Sequence, residues 1–127
     1  MKLTLKCLDE SFTIHRLPVK SEIPMQVFSS PIYFISKTYE EVSIVVPDYI
    51  PIESDEAELN WQALEVVGPL DFSLTGILSS IATVLADQKI SIFAISTFDT
   101  DYVLVKEATL NKAISALTKN NYEVIQS

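Results

Sequence analysis

Cysteine, histidine and glycine are almost missing from this chain. Cys7 is the one cysteine among 127 residues, so no disulfide forms within a molecule. Cys7 shares a strand face with Leu3 and Leu5, where a thiol behaves as a small buried hydrophobe. With His15 as the only histidine, the chain cannot assemble a zinc-type cluster by itself. His15 alternates with Thr13 and Leu17, the pattern of an exposed histidine on an edge strand. Only two glycines are present, while 48% of the residues are hydrophobic, which suits a packed domain and not a disordered chain. The apolar runs are all too short to span a bilayer. Met1 to Lys6 alternates like a strand and does not resemble an export signal, so a cytoplasmic location is expected. Positive charge is scarce too. The net charge of −8 sets the chain against phosphate backbones and anionic lipid, so neither nucleic acid nor membrane is an expected partner.

The pattern of what is present divides the chain. Residues 2–8 and 12–17 alternate on either side of Asp9-Glu10-Ser11, which predicts a hairpin. Pro18, Pro24 and Pro31 restrict any helix in 18–31 to a turn or two. Ile32–Lys37 and Val42–Val46 are β-branched and aromatic, predicting a second hairpin around 38–41. Pro47 to Asn60 is proline-containing and acidic, the composition of a connection.

Beyond it, Trp61–Val67 reads as a strand. Leu74, Ile77, Leu78, Ile81, Val84 and Leu85 then fall on one face of a helix over 73–89. Strands at 90–97 and 102–106 follow, then a helix faced by Leu110, Ala113, Ile114 and Leu117, and a strand at 122–126. The order βαββαβ is that of a ferredoxin-like α+β fold. Residues 61–127 are thus expected to form a four-stranded antiparallel sheet with both helices on one face. The strand at 90–95 is apolar on both faces, which calls for a cover or a partner chain.

Two segments stand out chemically. Gly68 to Thr75 runs from a strand end into a helix start, with Asp71 or Ser73 as candidate N-cap. Free N–H groups and the helix dipole there attract an anion. Gly76, about one turn into the predicted helix, allows close approach of a ligand or of another backbone. Ser96-Thr97-Phe98-Asp99-Thr100-Asp101 lies beside that helix start in a ferredoxin-like fold. Asp101 offers a carboxylate to an ammonium, although Asp99 and Asp101 also suit a turn or a cation site.

These two segments, with Ile90 to Val105 and the first-half residues Arg16-Leu17-Pro18 and Thr38–Val46, resemble a family of small bacterial ACT-domain proteins. The pattern is also similar to the CASTOR arginine sensors and, more distantly, to aspartokinase regulatory domains. The resemblance implies two ACT-like units, 1–50 with a reduced helical part and 61–127 complete, joined by an acidic linker at 51–60. It implies a non-catalytic regulatory protein that needs no cofactor, binds an amino acid between ACT units, and forms a homodimer, acting alone or through a protein target. The implied ligand residues are Asp71, Ser73, Leu74, Thr75, Gly76, Thr97, Phe98 and Asp101. Leu74 stands where one arginine sensor has an acidic residue, which favours a smaller or neutral ligand at least as well as arginine. The competing readings are an interaction module without ligand and a small enzyme using Asp99 and Asp101.

Overall fold

A computed structural model describes residues 3–67 and 75–126. The chain folds as two compact units, Met1–Asp9 with Gln62–Ser127, and Glu10–Trp61. Two long strands belong to both: β1 (Thr4–Pro18) and β4 (Glu56–Val66).

β1 corrects the first expectation. No hairpin forms at Asp9-Glu10-Ser11, and all fifteen residues of β1 make one strand. The triplet has turn-compatible Asp9 and Ser11 but lacks the glycine that tight hairpin turns favour at their positive-φ position. The acidic stretch 51–60 is likewise only partly a connection, since Glu56–Asn60 begins β4.

In the larger unit, α1 (Ile77–Asp87), β5 (Ile92–Ser96), β6 (Asp101–Lys106), α2 (Leu110–Lys119) and β7 (Glu123–Gln126) follow β4. The strands neighbour one another in the order β7-β1-β4-β6-β5. The expected four-stranded antiparallel sheet is therefore incomplete as a description. β1 is inserted between β4 and β7, and β7 pairs with it in parallel, Thr4 opposite Glu123 through Cys7 opposite Gln126. Alternation explains the layering: Leu5 and Cys7, Leu64 and Val66, and Val103 and Val105 face the same way, against Ile81, Leu85, Ala113 and Leu117 of the helices. Both helices cover one sheet face, as expected. Each fully buried leucine here contributes about 1.5–3 kcal/mol relative to exposure. Cys7 is in this core, 1% exposed, and burial pushes its thiol pKa up, consistent with an inert packing role. Ile92 joins the same core while Ala94 is exposed and Phe93 and Ile95 are half-buried.

Each helix stops by the same device. Ile90 N–H donates to Leu85 O and Lys89 N–H to Ala86 O; Tyr122 N–H donates to Leu117 O and Asn121 N–H to Thr118 O. Lys89 and Asn121 have φ of 60° and 71°. These are Schellman ends, with Ile90 and Tyr122 buried just beyond the turn.

The smaller unit pairs β2 (Phe34–Lys37) with β3 (Glu41–Pro47), and β3 with the second half of β1; β4 flanks β1 on its other edge. Its order is β2-β3-β1-β4. Leu17, Val42, Ile44 and Val46 form its core with Ile50 and with Val27 from a 3-10 turn, Met25–Ser29. The prolines thus limit helix in this region as predicted.

His15 departs from its expected setting. β1 lies between β3 and β4 and is not an edge, and His15 is 6% exposed, opposite Ile44, sharing a 2.9 Å hydrogen bond between Nδ1 and Ser54 Oγ. Burial lowers its pKa from the usual 6.5. A lowered folded-state pKa means that the unfolded chain takes up the proton first. The stability that depends on neutral His15 is therefore complete above about pH 6.5 and is lost as pH falls toward the folded-state value. Urea midpoints measured from pH 8 downward should decline in that window and flatten in His15→Gln, and the imidazole signal of this single histidine should titrate below pH 6.5.

Candidate functional site

β5 and β6 pair antiparallel from Ile92 opposite Val105 to Ser96 opposite Asp101, leaving Thr97–Thr100 as the turn. Threonine chemistry closes that turn. Thr97 N–H and Oγ1 both donate to Thr100 O, at 2.8 and 3.0 Å, and Thr100 N–H donates back to Thr97 Oγ1 at 3.2 Å. Such side-chain-to-backbone bonds let threonine replace a backbone turn contact. Ser96 Oγ donates to Asp101 Oδ1, which orients the carboxylate at the mouth of the hairpin. Phe98 is 81% exposed at the tip, and Asp101 is half-buried.

Thr100 is the residue that sequence reasoning misses. Its side chain is 7% exposed, and its Oγ1 donates to Val66 O at the end of β4. Val67 N–H donates to Thr4 O at 2.9 Å, so the same strand end is held from β1. The turn carrying Thr97, Phe98 and Asp101 is thereby fastened to the point from which the chain departs toward α1. Its one sequence signal is the threonine pair three residues apart, Thr97 and Thr100.

The start of α1 also differs from expectation. Gly76 is not inside the helix but is its N-cap, with φ of 77°, and no side chain among the described residues caps this end. The N-cap candidates Asp71 and Ser73, with Leu74, lie outside the described residues. Ser80 N–H donates to Gly76 O at 2.8 Å, the first bond of the helix. The N–H groups of the preceding turn have no partner inside the helix, which is general at this end. A Cβ built on Gly76 meets nothing within 4 Å. Close packing against the sheet is therefore not the reason for this glycine. The left-handed φ is. Thr75 and Gly76 are both exposed.

Beside the turn, Tyr102 hydroxyl lies 3.5 Å from Glu65 Oε2 as donor. Burial, and then the Glu65 carboxylate, raise the Tyr102 pKa above its ordinary value. Among the described residues no three of His, Cys, Asp and Glu gather as metal ligands.

The ACT domain profile matches residues 56–119, from the start of β4 to the end of α2. The chain belongs to the ACT domain family. A crystallised protein of Agrobacterium tumefaciens is 30% identical, with a TM-score of 0.91 over 100% of this chain and 95% of that one. A cytosolic arginine sensor for mTORC1, subunit 1, of Pongo abelii is 32% identical over 88% of this chain and 37% of its own length. The aspartate kinase of Clostridium acetobutylicum, described as an allosteric enzyme, shares the fold at 17% identity and a TM-score of 0.68, over 89% of this chain and 33% of that one. The chain spans about half the length, or less, of the curated relatives it matches.

The anchor of the ACT turn is directly testable. Thr100→Val keeps the shape but removes the donor from the buried Val66 carbonyl, and should cost about 1–3 kcal/mol in urea denaturation, with Thr100→Ser recovering most of it. Gly76→Ala should lose about 1 kcal/mol or more by the same measurement, since alanine resists the left-handed backbone even in open space.

Proposed function

We propose that this ACT protein is a non-catalytic amino-acid sensor whose ligand lies between the start of α1 and the Thr97–Asp101 turn. What supports the reading is a pair of chemistries on the ACT unit: a helix that starts at a left-handed glycine, Gly76, and a half-buried carboxylate, Asp101, beside a turn anchored to the end of β4. The ligand carboxylate takes the first-turn amides from Gly76 onward, where positive dipole and donors without a partner inside the helix coincide, with Thr75 beside them. Its ammonium faces Asp101, with Thr97 beside it and Phe98 as a wall. Asp71, Ser73 and Leu74 complete this end by resemblance. The arginine-sensor relative supports an amino acid as ligand class, and Leu74 argues for a small or neutral one.

The smaller unit is read as a reduced ACT-like unit. Its order β2-β3-β1-β4 matches β5-β6-β4-β7 of the larger one once β1 is set aside, with the 3-10 turn Met25–Ser29 in the place of the first helix. A second copy closes the pocket over the exposed turn, which makes the protein a homodimer with isologous contact. The protein acts in the cytoplasm, a reading supported by the cytosolic arginine-sensor relative.

A thermal-shift screen of the amino acids should find one that stabilises the chain, because a ligand bound only to the native state raises stability by mass action. In calorimetry, Asp101→Ala should lose about 1.5–3 kcal/mol of binding to that ligand, the range for a charge-assisted hydrogen bond, with folding unaffected. Equal binding by wild type and variant would place the ligand elsewhere.

A further inference from the structure

The smaller unit contains an open groove that takes no part in the proposed ligand site. Its volume is about 800 Å³, and it is lined by Leu17, Pro24, Pro51 and Ile52 with Ser21, Gln26, Glu22 and Glu53. The lining is braced. Gln26 Nε2 donates to Pro51 O at 2.8 Å, linking the 3-10 turn to the segment after β3, while Ile50 N–H donates to Pro47 O at 3.0 Å. Two prolines stiffen the walls, so little conformational freedom remains to be lost on binding.

Charge decides the occupant. Glu22 and Glu53 are exposed, and neither has an ion-pair partner among the described residues. Arg16, the nearest cation in sequence to the core of this unit, is taken by Asp55 at 3.6 Å. Lys20 does not line the groove. From Lys37 to Lys89 the chain has no intervening Lys, Arg or His, while Asp48, Glu53, Asp55, Glu56 and Glu58 all fall in that interval. An apolar floor with two uncompensated carboxylates complements a long aliphatic stem ending in a cation, the shape of a lysine or arginine side chain. The surface extends beyond one side chain: Met25 and Phe28, on the 3-10 turn that supplies Gln26, are 79% and 51% exposed, and Phe28 holds Tyr33 edge-on at 5.7 Å.

We propose that this groove docks a basic, leucine- or methionine-containing peptide segment of a partner protein. One lysine or arginine stem lies on Leu17, Pro24 and Ile52 with its cation toward Glu22 and Glu53. Apolar neighbours in the peptide cover Met25 and Phe28. The proposal is independent of the amino-acid site, since none of its residues belongs to both.

The test is an amide-resonance titration of the full chain with acetyl-Leu-Lys-Leu-Lys-amide. Shifts should concentrate at Leu17, Ser21, Gln26, Ile52 and Glu53. The double variant Glu22→Gln/Glu53→Gln should bind about five-fold or more weakly, while the surface control Asp87→Asn binds as wild type. Raising salt to about 0.5 M should weaken binding as well, because these carboxylates are exposed to screening. Shifts centred elsewhere, or an affinity unchanged in the double variant, overturn the proposal. Equal binding of acetyl-Leu-Glu-Leu-Glu-amide overturns the charge argument. Free diaminopentane binding as tightly as the peptide overturns the peptide assignment in favour of a small-cation site.

Discussion

The end of β4 is the point on which the ACT unit's chemistry depends. Leu64 and Val66 turn inward beneath the helices, so the strand cannot shift without withdrawing two buried side chains. The next backbone groups are fixed from opposite sides, Val66 O by the Thr100 hydroxyl and Val67 N–H by Thr4 O. Hydrophobic burial supplies the strength here, while the hydrogen bonds supply direction, because a buried carbonyl left without a donor costs more than the bond returns. The turn with Asp101 inherits its position from this arrangement. Thr100 has no contact role in the proposed site, yet it locates every residue on the turn that does.

The regular parts of the larger unit are legible in the sequence because periodicity there has one reading. Leu110, Ala113 and Leu117 mark a helix face, and Ala113 and Leu117 are fully buried. The start of α1 is harder to find because Leu74, Ile77 and Leu78 continue an apolar spacing through the boundary. What bounds the helix is the φ of 77° at Gly76, a backbone property that a hydrophobic pattern does not encode. Of the candidate residues, Thr97, Phe98 and Asp101 share a single turn, and Thr75 and Gly76 stand at the helix start.

The N-terminal strand misleads for a different reason. Asp9-Glu10-Ser11 interrupts the apolar run and its burial pattern too, with Asp9 exposed and Phe12 buried on the opposite parity, yet Leu5 and Cys7 before it and Thr13, His15 and Leu17 after it share one parity and are buried. Polarity suggests a turn, and parity indicates a strand. Glu56–Asn60 shows the converse, since all five residues are exposed and carry no alternation to mark them as strand. Strand character there rests on pairing with β1, which is non-local and therefore invisible in a short window.

Inserting β1 between β4 and β7 changes what the two sheet edges of the ACT unit can do. β7 is only four residues long, with Glu123, Ile125 and Gln126 exposed, a short and largely polar edge that offers little to another strand. β5, the opposite edge, leads directly into the turn. Phe98 at its end keeps 81% of its surface in water. Full burial of such a ring is worth about 1.5–3 kcal/mol, a gain that folding of one chain leaves unused. The proposed ligand or a second ACT unit would recover it. The turn that its own hydrogen bonds hold in place thus carries an exposed apolar ring, the feature on which the proposal of a site completed by a second surface rests.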